Sequence, residues 1–250
     1  MDSLRETVFE ANAALARERL ITLTWGNVSG IDRERGLVAI KPSGVPYDRL
    51  RAEDMVLVAL DGRVTDSRLR PSSDTPTHLE LYKAFPGLGG VCHTHSLHAT
   101  AFAQACREIP CLGTTHADVF YGAVPLARPL GPRETAKRYE INTGRSIVER
   151  FETLDAEKTP GVLCAHHGPF TWGASPALAV ENAVALEALA AMAIATLSLN
   201  PQALPLPTHI MNTHYFRKHG RHATYGQDKP RHETSVHFRR ELVCANACGA

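Results

Sequence analysis

The run Gly89-Gly90-Val91-Cys92-His93-Thr94-His95, continued by Ser96-Leu97-His98-Ala99-Thr100-Ala101-Phe102-Ala103-Gln104-Ala105, is the stretch on which the reading of this chain turns. The pattern over 90–95 predicts a strand, and the alanine-rich run from Ser96 to Ala105 predicts the helix that the strand feeds. In a strand, residues i and i+2 point to one face about 7 Å apart at roughly 3.3 Å rise per residue, so His93 and His95 converge. In a helix the same spacing would splay them. A lone His-x-His pair is weak evidence in a chain with 13 histidines, and a hydrogen-bonded structural histidine is the commoner outcome for any one of them. Company adds the weight. Asp74 stands just before a predicted helix, and His167 closes another predicted strand, from Gly161 to Ala165, that runs into His166-His167-Gly168. Three histidines with or without a carboxylate suit zinc.

Outward from there, Leu37–Ile40 and Met55–Leu60 read as strands, the second ending in Asp61-Gly62, a tight hairpin turn. Val124–Ala127 reads as a short strand. Ser3 with Glu6 forms a capping-box pattern ahead of an amphipathic first helix, and Thr75-Pro76 caps a helix over 78–85. Another helix is expected over 133–151. Ser175-Pro176 opens an Ala/Leu-rich run to Leu199, which predicts the longest helix. After Pro201–Pro207 comes a last helix holding His214, Tyr215 and Arg217. Beyond Gln227 the chain turns polar and irregular, which gives a single domain over 1–227 and a tail over 228–250 expected to be disordered. Alternating strand and helix signals alone favour a parallel, doubly wound sheet.

A chain of 250 residues with 44% hydrophobic content matches one α/β domain with a sizeable core. The formal net charge of +1, spread along the chain, leaves no basic stripe for nucleic acid. Residues 1–19 lack the apolar core of a signal peptide, and no apolar run is read as membrane-spanning. The expectation is therefore a cytoplasmic protein with neither a nucleic-acid nor a membrane partner. The six cysteines are irregularly spaced and read as free thiols. Cys244 and Cys248 lack a second matching pair nearby.

Thr24-Trp25-Gly26-Asn27-Val28-Ser29-Gly30 and Lys41-Pro42-Ser43-Gly44 are short, glycine-containing and rich in hydroxyl, amide and ammonium donors, which is what a phosphate needs from a loop. Singly, each glycine reads as a turn and Lys41 as a surface charge. Ser72-Ser73 adds two hydroxyls beside Asp74. Asp118, ahead of an apolar aromatic stretch, is either an acid/base group or a capping residue.

In order along the chain, TLTWGNVSG, IKPSGVPYDRL, PSSDTPTHLELYKAFP, HTHSLHAT, GTTHADVFYG, PGVLCAHHGPFTWG, and HYFRKHG followed by YGQ resemble the class II aldolase/adducin family, and within it the L-ribulose-5-phosphate 4-epimerases. The resemblance runs from the first helix to Gln227. It implies a largely antiparallel central sheet flanked by helices on both sides, in place of the parallel sheet. It implies one zinc ion per subunit held by Asp74, His93, His95 and His167, with His166 a neighbour. Asn27, Lys41, Ser43, Gly44, Ser72 and Ser73 are implied to hold the phosphate of a sugar-phosphate substrate. Asp118 and Tyr225 are implied as acid/base groups on opposite faces of the bound intermediate. His214, Arg217 and Tyr225 match residues contributed by a neighbouring subunit, in a cyclic homotetramer with sites between adjacent copies. Glu140, in the YExxTG pattern, is a weaker correspondence. The implied reaction is reversible cleavage of C3–C4 in a pentulose 5-phosphate, rotation of the aldehyde and re-addition. Asp74 stands where fuculose-phosphate-type aldolases carry glutamate, which favours the epimerase over the aldolase. L-xylulose-5-phosphate-type epimerases share the pattern. Non-catalytic adducin-like scaffolds share the fold but would lack the ligand set. The tail with His232, His237, Cys244 and Cys248 matches nothing in the family.

Overall fold

The computed structural model describes residues 2–219 together with 223 and 224. Eight strands form one sheet in the order β4-β3-β2-β1-β5-β8-β7-β6. They are β1 (Asn27–Asp32), β2 (Leu37–Ile40), β3 (Val56–Ala59), β4 (Val64–Asp66), β5 (Gly90–His93), β6 (Leu126–Ala127), β7 (Gly161–Cys164) and β8 (Pro169–Gly173). Every neighbouring pair is antiparallel except β6 with β7. The parallel sheet suggested by the alternating signals is thus overturned, and the family's largely antiparallel sheet is found. Alternation along one strand cannot reveal its neighbour's direction. Here the short connections β1–β2, β3–β4 and β7–β8 decide it, because so few residues can join only antiparallel strands.

Helices cover both faces. On one lie α1 (Asp2–Arg17), α3 (Leu97–Gln104) and α7 (Pro176–Leu199); on the other lie α2 (Thr75–Ala84) and α6 (Tyr139–Arg150). The two-residue period of β5 serves both layers. Val91 packs with Leu79, Tyr82 and Ile147 of the α2/α6 side, while Cys92 packs with Leu15 of α1 and Val180 of α7. His93 therefore turns toward α2. Three further helices are α4 (Thr114–Ala117), α5 (Pro132–Ala136) and α8 (Thr208–His219).

α7 is long and apolar enough, by length and composition, to cross a membrane, contrary to the sequence reading of the apolar runs. Its packing is that of a core helix, with Ala179, Ala183, Leu186 and Ala190 buried against the sheet and its neighbours. Ser175 caps it as expected, its hydroxyl accepting from Leu178 N at 3.2 Å. Other local expectations shift. Ser3 lies inside α1 rather than capping it. The cap of α2 is Asp74, one residue before Thr75. The helix expected over 133–151 breaks into α5 and α6 at Arg138, whose φ of 59° is left-handed. That conformation costs a non-glycine residue about 1–2 kcal/mol. It sets Tyr139 and Glu140 at the head of α6.

Candidate active site

One end of the central strands gathers the chemistry. In the strand register Asn27 lies opposite His93, and His93 opposite Phe170, so the start of β1 and the end of β5 sit side by side. His95 follows β5 by two residues, and His167 sits in the turn between β7 and β8. Gly168 lets that turn close, since a Cβ there would stand 2.8 Å from the Thr94 carbonyl oxygen. Gly26 plays the same part on the other side, with φ +88° and 2.9 Å between an added Cβ and the His93 oxygen. Side chains at these two positions would wedge the histidine segments apart.

One nitrogen from each of His93, His95 and His167 lies within 4.8 Å of the others. His93 Nδ1 donates to the Pro169 carbonyl at 2.9 Å, which turns Nε2 toward His95 Nε2, 3.1 Å away. Such a backbone bond orients a metal-binding imidazole. His167 Nδ1 is buried with no hydrogen-bond partner. Burial first, and the neighbouring imidazoles second, depress the pKa of His95 to about 4 and of His167 to about 3. Both rings are neutral at pH 7, the state in which imidazole donates to a metal. Three grouped imidazole nitrogens, one ring carrying an otherwise orphaned nitrogen, fit a divalent ion with an open position.

Asp74 is not part of that close group but stands beside it. As the cap of α2 its carboxylate makes no capping bond. It instead accepts from Asn27 Nδ2 at 2.7 Å and from the Ser72 hydroxyl at 3.4 Å. Burial pushes this carboxyl up, but His93, His78 and the Asn27 amide outweigh it and hold it below the usual carboxylate range. Asp74 is thus an anion facing the histidines.

A cleft of about 420 Å³ opens over the group, lined by His95, His167 and Asp74 together with Asn27, Lys41, Ser43, Gly44, Ser72 and Ser73. Every residue expected to hold phosphate is there. The loop after β2 is pinned to the segment before α2 by Ser43 N to Arg70 O at 2.9 Å and Ser72 N to Lys41 O at 3.0 Å. Lys41 is not the surface charge it resembles in sequence, being only 2% exposed. Its Nζ stands 4.7 Å from the centre of the Tyr47 ring and donates to the Pro42 carbonyl at 3.3 Å. No carboxylate pairs with it among the described residues. Burial lowers its pKa from 10.5 to about 8. A buried cation without an anion is costly unless an anion arrives.

Residues 6–194 match the Class II Aldolase and Adducin N-terminal domain family. The chain belongs to this family. It is 53% identical over 227 residues to L-ribulose-5-phosphate 4-epimerase UlaF of Salmonella paratyphi B, covering 91% of this chain and 100% of that one. The same identity and coverage hold for the protein of that name from Salmonella typhi. Among solved structures, an L-fuculose 1-phosphate aldolase superposes with a TM-score of 0.71 at 23% identity, over 85% of this chain and 94% of the other. The L-fuculose-1-phosphate aldolase of Thermus thermophilus gives 0.62 at 22% identity, over 81% and 98%. These structures share the class II aldolase fold.

The remaining expected residues gather elsewhere. Asp118, at the end of α4, binds the last turns of α8, with His214 Nδ1 at 3.2 Å, Arg217 at 3.3 Å and Lys218 at 3.8 Å. None of these residues lines the cleft. A single chain therefore carries two separate halves, the histidine cleft and the Asp118–His214–Arg217 group. Tyr225 and the tail over 228–250 lie outside the described residues. His166 is exposed and is not among the three grouped histidines. Two cleft residues were missed in sequence. Trp25 sat unremarked inside a motif valued for its polar donors. Tyr139 reaches the cleft only because of the break at Arg138, which no glycine or proline announces. Glu140 lines the cleft beside it.

Proposed function

We propose that this chain is a metal-dependent L-ribulose-5-phosphate 4-epimerase, interconverting L-ribulose 5-phosphate and D-xylulose 5-phosphate. The observation that carries the reading is the shared cleft. A buried lysine with no carboxylate partner among the described residues, with a collar of serines, faces the same 420 Å³ space as His95 and His167, two of the three grouped histidines. A sugar phosphate has the two ends such a cleft requires, and the 53% identity over the whole length of the Salmonella enzymes supports this choice of substrate.

In this reading His93, His95 and His167, with Asp74 beside them, hold zinc, which when bound supplies a Lewis acid for the negative charge that develops on C–C cleavage. Lys41, Asn27, Ser43, Ser72 and Ser73 hold the phosphate, with Gly44 turning the loop. The C4 hydroxyl gives up its proton and C3–C4 breaks. Its electron pair passes into an enediolate, releasing glycolaldehyde phosphate within the cleft. Re-addition to the opposite face of the aldehyde reforms the bond and returns the proton, inverting C4. Asp118 and Tyr225 serve as the acid/base pair, one on each face. Because Asp118, His214 and Arg217 do not reach the cleft of their own chain, a second copy delivers them, in a homotetramer with sites between adjacent subunits. The catalytic domain spans 1–227, the segment 228–250 is an appended tail, and the setting is the cytoplasm.

The test is incubation of the zinc-loaded protein with L-ribulose 5-phosphate while D-xylulose 5-phosphate and free glycolaldehyde phosphate are both followed. The reading expects xylulose phosphate, abolished by chelator and by His95→Ala. Free aldehyde as the main product would make the chain an aldolase, and absence of both products would overturn the substrate assignment.

A further inference from the structure

Metal and phosphate binding leave the two aromatic residues of the cleft without a role. Trp25 is 51% exposed, whereas the only other tryptophan, Trp172, is 1% exposed. Its ring centre lies 6.1 Å from that of His95. Tyr139 is 37% exposed, and its ring centre lies 6.1 Å from that of His167. Two aromatic rings thus adjoin the histidine group inside a cleft that is otherwise mostly polar.

Keeping them there has a cost. A half-exposed indole leaves in water apolar surface that folding would otherwise bury. The backbone that presents Trp25 is itself strained. Leu23 has φ +55°, Trp25 N turns back onto Thr22 O at 3.1 Å, and Tyr139 follows the left-handed Arg138. Two strained connections therefore hold two apolar faces open beside the reacting end of the cleft.

The chemistry gives those faces a purpose. Between bond cleavage and re-addition, a small aldehyde anchored by its phosphate must turn over without escaping and without water entering. Polar groups beside it would lock its carbonyl in one orientation. An aromatic face excludes water and packs against carbon while offering no directional acceptor or donor from its plane. We propose that Trp25 and Tyr139 form an aromatic wall that retains the aldehyde phosphate while it rotates, and so set the ratio of re-addition to release. The inference rests on the epimerase reading above.

The test uses full-length, zinc-loaded protein and L-ribulose 5-phosphate, with epimerised product and trapped free glycolaldehyde phosphate measured together. Trp25→Ala raises the released-to-epimerised ratio at least tenfold. Trp25→Phe, which keeps a ring, stays within threefold of the wild type. Leu204→Ala, 84% exposed and outside the cleft lining, leaves the ratio unchanged. Bound zinc and the thermal shift induced by inorganic phosphate are retained in all three. An unchanged ratio in Trp25→Ala with zinc and phosphate binding intact overturns the wall. A second readout covers a wild type without epimerase turnover, or an alanine variant that misfolds. Because Trp172 is buried, acrylamide quenching of tryptophan fluorescence reports Trp25. Glycolaldehyde phosphate lowers the wild-type quenching constant at least twofold, and no protection would overturn the placement of Trp25 against that fragment, whichever reaction the chain performs.

Discussion

Replacing Lys41 with methionine separates what the fold prefers from what the site requires. The side chain is 2% exposed, and burial moves its pKa from 10.5 to about 8. At ~1.4 kcal/mol per pH unit the shift amounts to about 3 kcal/mol against the charged form. Water in the open cleft screens part of this, and the Tyr47 ring returns part, leaving a net cost of roughly 1–2 kcal/mol. Methionine keeps a similar unbranched volume without the charge. Lys41→Met should therefore raise Tm by roughly 2–8 °C at pH 7. The sign follows from linkage. Between pH 8 and 10.5 the unfolded lysine binds the proton more tightly, so wild-type stability grows with pH across that window. The advantage of the variant is then fully present below about pH 8 and gone above 10.5. Differential scanning fluorimetry at pH 7 and 9.5, with and without inorganic phosphate, checks all of this. Phosphate should raise the Tm of the wild type and leave the variant unmoved. A variant that melts below the wild type and keeps the phosphate shift would refute the idea that Lys41 is a buried cation awaiting an anion.

His167→Ala removes one of three nitrogen donors and should lower bound zinc, measured by elemental analysis after dialysis, to below one tenth of the wild type. Intact secondary structure by circular dichroism would separate this from unfolding. Gly168→Ala drives a Cβ to 2.8 Å from the Thr94 oxygen. It should weaken zinc binding by about 10–100-fold, the range seen when a metal site's supporting groups are disturbed; unaltered affinity by competition with a chromogenic chelator would show that the turn has slack. His95→Ala and Arg217→Ala, each inactive alone, should recover activity when unfolded and refolded together, since a mixed oligomer contains sites with both residues intact. Failure to recover, with mixed oligomers present on native mass spectrometry, would place both residues in one chain's site.

Five of the eight strands and the main helices were legible in the sequence because each signal is local, whereas β1, β4 and β8 were not, and the 24–30 stretch reads as a loop although β1 from Asn27 pairs on both sides. Ser175-Pro176 announced α7, Asp61-Gly62 the β3–β4 turn, and His93-Thr94-His95 a pair of imidazoles on one face. The seven motifs in order supplied the family, and with it the antiparallel sheet that hydrophobic alternation had pointed away from. Tertiary structure alone decided the rest. Lys41 reads as a surface charge until the loop after β2 is seen pinned to the segment before α2, because burial depends on what the rest of the chain lays over a residue. Thr75 reads as the cap of α2 in sequence, but the cap is Asp74, and Asn27, brought alongside by the register of β1 on β5, holds its carboxylate. Tyr139 enters the cleft through a left-handed residue that carries no glycine or proline signal. The separation of Asp118, His214 and Arg217 from the histidine cleft is a distance between elements far apart in sequence. Such distances follow from how helices pack across a sheet, which no local pattern encodes.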